Sequence, residues 1–85
     1  MSRWLKLLAA ARRRPQSVRL ADAIALAEHF GFVRRAGGKH AHIMKRPGFS
    51  RVLNFQDAGN GLAKRYQVVQ LLNAIEELGE GGATP

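Results

Sequence analysis

Two histidines, His40 and His42, stand one residue apart in the run Lys39-His-Ala-His-Ile-Met-Lys45. On a strand, a period of two sends both imidazoles to the same face. Histidine titrates near neutrality, so such a pair can take a proton from one oxygen and return it to another. Ala41 and Ile43 then take the opposite, core-facing side, and the two imidazoles project from an open face or rim beside Lys39. The competing reading is a solvated polar strand face. A metal reading is weak, because a structural zinc needs four ligands and no cysteine or local carboxylate completes the set. The third histidine, His29, falls at a helix end and reads as a capping or surface residue.

Cations surround this pair. Arg34, Arg35, Lys39, Lys45, Arg46 and Arg51 lie on or beside the same strands. Lys64 and Arg65 open a later helix, where free N–H groups and the helix dipole already favour an anion. Residues 1–56 hold twelve Lys/Arg against Asp22 and Glu28, while residues 57–85 hold Lys64 and Arg65 against four acids. The net charge is +8 over 85 residues. An imbalance of this size, concentrated in one part, points to a polyanion such as a nucleic acid. Trp4, Tyr66 and the phenylalanines are not interleaved with the cations as a base-stacking platform requires. Phe32 and Phe55 read as core.

The elements that hold these residues follow from apolar spacing. Leu20, Ala23, Ile24 and Ala27, continued by Phe30, mark an amphipathic helix. Ser17 is a candidate N-cap, with a start as late as Leu20 allowed, and Gly31 suits the left-handed closing position. Residues 32–36, 40–45 and 51–55 read as three strands. Gly37-Gly38 and Arg46-Pro47-Gly48 supply the turns. Runs this close leave no room for helical crossovers, so the sheet is an antiparallel meander. Val68, Leu71, Leu72, Ile75 and Leu78 mark a second helix starting near Leu62 or Ala63 and closed by Gly79. The expected fold class is α+β. It is an α-β-β-β-α two-layer sandwich with both helices on one sheet face, plus an additional N-terminal helix.

Residues 1–16 form that added unit. Trp4, Leu7, Leu8 and Ala11 make one apolar face, with Arg3, Lys6 and Arg13 opposite and Pro15 as the stop. Lys6 and the arginines that follow disfavour a secretory signal, and an organellar transit peptide is equally disfavoured. A short amphipathic helix docked on the domain or on a partner is preferred. Residues 17–78 form the domain, and 79–85 a flexible tail. The chain has no cysteine, which excludes disulfides and thiolate chemistry. No apolar run approaches the roughly 20 residues of a membrane span, so no membrane partner is expected. There is no nucleotide-binding loop.

The segments AEHFGFVRRAGGKHAHI at 27–43, RPGFSRVLNFQDAG at 46–59 and AKRYQVVQLLNAIEEL at 63–78 together resemble the HicA family, the toxin components of type II toxin–antitoxin systems. The resemblance covers about residues 17–78, and LNFQDAG and AKRYQVVQLL are its most specific stretches. It implies a double-stranded-RNA-binding-like fold and a cytoplasmic, metal-independent endoribonuclease that cleaves mRNA without a cofactor. It also implies neutralisation by a HicB-like antitoxin protein. The family's catalytic histidine maps to His40. Lys39 replaces the serine that usually precedes it, and His42 stands where many members carry an apolar or aromatic residue. Lys39 and His42 become assistants to His40. Arg34, Arg35, Lys39, Lys45, Arg46, Arg51, Lys64 and Arg65 become the RNA-binding set. The alternative is a non-catalytic RNA-binding module of the same fold.

Overall fold

In a computed structural model of the chain, residues 2–35 and 42–79 are described. They form three helices, α1 (Arg3–Arg13), α2 (Leu20–His29) and α3 (Arg65–Glu77), and three strands, β1 (Val33–Arg34), β2 (His42–Lys45) and β3 (Val52–Phe55). The strands make an antiparallel sheet in the order β1-β2-β3. The fold is therefore α+β, as the apolar spacing predicts. Both α2 and α3 pack against β3, so the helices share one face of the sheet.

Each apolar stripe becomes part of one core. Ala23, Ile24, Leu26, Ala27 and Phe30 come from α2, Met44, Leu53 and Phe55 from the sheet, and Val68, Leu71, Ala74 and Ile75 from α3. Phe32 and Phe55 are both buried, as expected. The N-terminal helix docks on the domain itself. Leu8 and Ala11 join the same core, and Trp4 and Leu7 pack against it. Complete burial of one leucine side chain contributes about 2 kcal/mol, enough to hold a short helix that is marginal alone. Trp4 stacks on His29 with ring centroids 4.3 Å apart and meets Phe30 edge-on. Gly31, at φ +93°, closes α2 in the left-handed region.

The face assignment of β2 differs from the expectation. Met44 is fully buried opposite Leu53, and His42 lies opposite Phe55 on that same inner face. Ile43 is 38 % exposed on the outer face, with Val33 and Val52. The inner position goes to methionine because its long side chain reaches Leu53 and the helices. Ile43 instead joins an outer row of β-branched residues. His42 is therefore a half-buried residue at the inner end of the sheet and does not project from the open face. Ala41, His40, Lys39 and the Gly37-Gly38 turn lie outside the described residues, as does the expected flexible tail from Glu80 onward.

Two element boundaries also move. Leu62 and Ala63 are taken up by isolated β-bridges to Arg19 and Asp57, so α3 begins only at Arg65. Pro15–Ser17 form a 3-10 turn, and α2 begins at Leu20 with no side-chain cap. Leu20 N–H donates to the Gly61 carbonyl and Ala63 N–H to the Val18 carbonyl. These pairings keep residues 18 and 19 extended, so Ser17 cannot serve as the cap.

One buried polar side chain links the sheet to α3. Gln67 is 1 % exposed. Its Oε1 accepts from the Gln56 backbone N–H at 2.7 Å, and its Nε2 donates to Gln56 Oε1 and to the Tyr66 hydroxyl, both at 3.2 Å. Just beyond, Asp57 Oδ1 accepts from the N–H groups of Gly59 at 2.6 Å and Gly61 at 3.0 Å. Those two donors hold the Asp57 carboxyl below its ordinary value of 3.8.

Gln67→Ala leaves the Gln56 N–H without its acceptor in a water-poor setting. We expect a loss of about 1–3 kcal/mol in urea unfolding. Gln70→Ala, on the exposed side of α3, stays within about 0.5 kcal/mol of wild type. Equal effects at the two positions would show that the Gln67 contacts contribute nothing particular. For Asp57 the depressed carboxyl makes a stability contribution that is fully present above pH 3.8 and disappears as pH falls through the folded value. Asp57→Asn, which cannot ionise, should therefore show a shallower fall in thermal midpoint between about pH 5 and pH 2 than the wild type. Superimposable pH profiles would remove Asp57 from the account of acid sensitivity.

Candidate nucleic-acid interface

Residues at i, i+4 and i+7 of a helix share a face, and in α2 that row is Ala21, Ala25 and Glu28. The two methyl side chains leave space, and the last position supplies a carboxylate. Across from this row stands the end of the sheet. The result is a cleft of about 340 Å³ lined by Leu20, Ala21, Ile24, Ala25, Glu28, Arg34 and His42. Arg34 reaches it from β1, where it lies opposite Met44 in the inner register. His42 reaches it from the first position of β2.

The chemistry of the cleft comes from three side chains of different kinds. Glu28 is a proton acceptor, His42 can accept or donate, and Arg34 is a permanent cation with a planar fork of donors. Glu28 makes no ion pair with either of the others among the described residues. The three groups therefore face a common space without neutralising one another. Sequence reasoning missed Glu28, although the Ala-x-x-x-Ala-x-x-Glu spacing ending beside the histidine-bearing strand was readable. No group of three or more His, Asp or Glu side chains able to hold a metal ion occurs among the described residues.

The predicted basic set divides. Arg34, Arg35, Lys45 and Arg46 come together around a second depression of about 540 Å³ between β1 and the turn at Pro47-Gly48, floored by Val33 and Phe49. Arg46 is also structural. Its Nε donates to the Phe30 carbonyl at 2.9 Å and ties the end of β2 to the end of α2. Gly31 lies against it, where an added Cβ would come within 3.1 Å of Nε. Arg51 pairs with Glu77 at 2.9 Å, so its charge is partly answered. Lys64 caps α3 through its backbone, and Arg65 is exposed in a first turn that contains no acid. These last two belong to the start of α3 and not to the cleft. Lys39 and His40 precede His42 by three and two positions in the chain and lie outside the described residues.

The division yields a direct comparison between two neighbouring arginines. Arg46→Ala removes the bond to Phe30 and should cost about 1–2 kcal/mol of stability. Arg34→Ala, at an exposed position, should stay within about 0.5 kcal/mol while weakening binding of a short single-stranded RNA. Chemical unfolding and fluorescence anisotropy measured side by side check both halves. A reversed pattern would exchange the two assignments.

Comparison of the chain with models of known protein families, with curated proteins and with solved structures found no match.

Proposed function

We propose that this chain is an endoribonuclease of the HicA toxin type, acting on single-stranded RNA through the RNA's own 2′-hydroxyl. The observation that carries this reading is the cleft in which Glu28, Arg34 and His42 face one space without pairing. RNA cleavage needs these kinds of group. A base takes the 2′-OH proton as the oxygen attacks phosphorus, a cation answers the charge that develops on the non-bridging oxygens, and an acid protonates the departing 5′-oxygen. The bond from phosphorus to the 5′-oxygen breaks, and a 2′,3′-cyclic phosphate remains. No oxidant, metal or cofactor enters this balance.

His40 is the principal acid–base residue, on the strength of the family resemblance. His42 is the second proton carrier, and Glu28 is the carboxylate that accepts a proton or holds an imidazolium. Arg34 and Lys39 supply positive charge to the phosphorane. The order of helices and strands and the antiparallel meander are compatible with the double-stranded-RNA-binding-like fold that the resemblance implies. A HicB-like antitoxin is the corresponding partner, and it would inhibit by covering the basic rim around β1 and β2. One observation favours a second reading, a non-catalytic RNA-binding module. Lys39 stands where the family carries serine, which replaces a hydroxyl with a cation beside the mapped histidine.

The test is cleavage of single-stranded RNA by purified protein, with circular dichroism as the control for folding. His40→Ala should lower the rate by roughly 10²–10⁴-fold. Glu28→Gln, which keeps the shape and removes the charge, should lower it by about 10²-fold, the low end of that range. RNA binding should persist in both, activity should survive EDTA, and the product should carry a cyclic phosphate. A folded His40→Ala variant that cuts at the wild-type rate eliminates His40 as the catalyst. A wild type that binds RNA tightly and never cuts it establishes the binding module instead.

A further inference from the structure

A second basic cavity lies away from the sheet, between the C-terminal half of α1 and the start of α2, with a volume of about 420 Å³. Leu7, Ala10 and Val18 make its apolar side, and Arg13, Arg14 and Arg19 its rim. None of these three arginines makes an ion pair among the described residues, and all three are exposed. The acid that lines the same cavity, Asp22, is already engaged by Arg3 at 3.6 Å. Three guanidinium groups lining one hollow without a matching anion leave it positively charged, and a phosphodiester answers that charge with bidentate hydrogen bonds.

The cavity is not isolated. A depression of about 510 Å³ beside it shares Arg19, and continues over Asn60 and Gly61 to Ala21. Ala21 is also a wall of the cleft that holds Glu28, Arg34 and His42. The three hollows therefore adjoin in sequence around the start of α2, Arg19 shared by the first two and Ala21 by the last two. We propose that the Arg13–Arg14–Arg19 cavity holds phosphates of the same RNA strand whose reactive phosphate occupies the His42 cleft, so that the junction between α1 and α2 anchors the RNA. A single small anion would call for donors converging on one point. Arginines around a partly apolar hollow fit a polymer whose riboses and bases lie on the apolar side. The proposal rests on the RNA reading above, but concerns a different surface.

The experiment measures binding of a fluorescent twelve-nucleotide single-stranded RNA at several salt concentrations. It compares the wild type with the triple variant Arg13→Gln, Arg14→Gln, Arg19→Gln. Each phosphate contact contributes about 0.7 to the slope of log K against log salt, so loss of three contacts should lower the slope by about two. Replacing the same positions by lysine should keep most of the slope, because the charge remains. Circular dichroism should be unchanged, since the altered side chains are exposed. A folded glutamine variant with the wild-type slope overturns the proposal and leaves the RNA reading intact. A wild type with no affinity for RNA at any salt concentration overturns the RNA reading, and this proposal with it.

Discussion

Gln67 is the one polar side chain that the core of the described residues takes in, and the seating of α3 follows from it. Leaving β3, the chain still has a backbone N–H at Gln56 that no neighbouring strand accepts. Gln67 reaches back from the third residue of α3 and supplies the acceptor, while its amide nitrogen is answered by Gln56 and Tyr66. Apolar packing alone would let α3 slide or rotate over Leu53 and Phe55 at small cost. A buried amide with directional partners has a single good position. Once α3 is seated, the Asp57 loop, the bridges from Leu62 and Ala63, and hence the start of α2 are all placed. The cleft between α2 and the sheet depends on that placement.

The excess of positive charge is not one uniform coat. Arg3, Arg12 and Arg51 make surface ion pairs with Asp22, Glu76 and Glu77. Such exposed pairs add little to stability, but they orient side chains that would otherwise extend into water. Arg46 is committed to the Phe30 carbonyl. Of the remaining arginines, Arg34 and Arg35 lie beside β1, Arg13, Arg14 and Arg19 around the joint between α1 and α2, and Arg65 at the start of α3. The acids near α3 thus do more than lower the net charge. By engaging Arg12 and Arg51 they leave the two basic hollows as separate regions.

Most of the architecture was legible because helix stripes and turn residues are local signals. Leu20 to Phe30 and Val68 to Leu78 announced their helices, and Trp4, Leu7, Leu8 and Ala11 announced the apolar face of α1, but not that it docks on the domain instead of a partner. The sheet was harder. With strands of two to four residues, a period-two reading rests on one or two apolar side chains, and Ile43 and Met44 compete for the inner side. Which one wins is decided by its partner across the register, Leu53, and that is not local information. Glu28 escaped notice for a related reason. As the last acid of an amphipathic helix it reads as solvated surface, and only the approach of His42 and Arg34 gives it chemical company. The Arg13–Arg14–Arg19 cavity likewise depends on how two helices meet. On the candidate site, His42 and Arg34 were readable as residue types but not as neighbours of a carboxylate.

The joint between α1 and the rest of the molecule is marked by Trp4, the only tryptophan in the chain. Its indole rests on His29 and touches the edge of Phe30, so its surroundings change as soon as α1 lifts away. The protein therefore carries an intrinsic optical reporter at a single joint. Indole emission follows the attachment of one helix, whereas far-ultraviolet dichroism follows the whole chain. A difference between the two signals on heating would resolve undocking of α1 as an event separate from loss of the sheet.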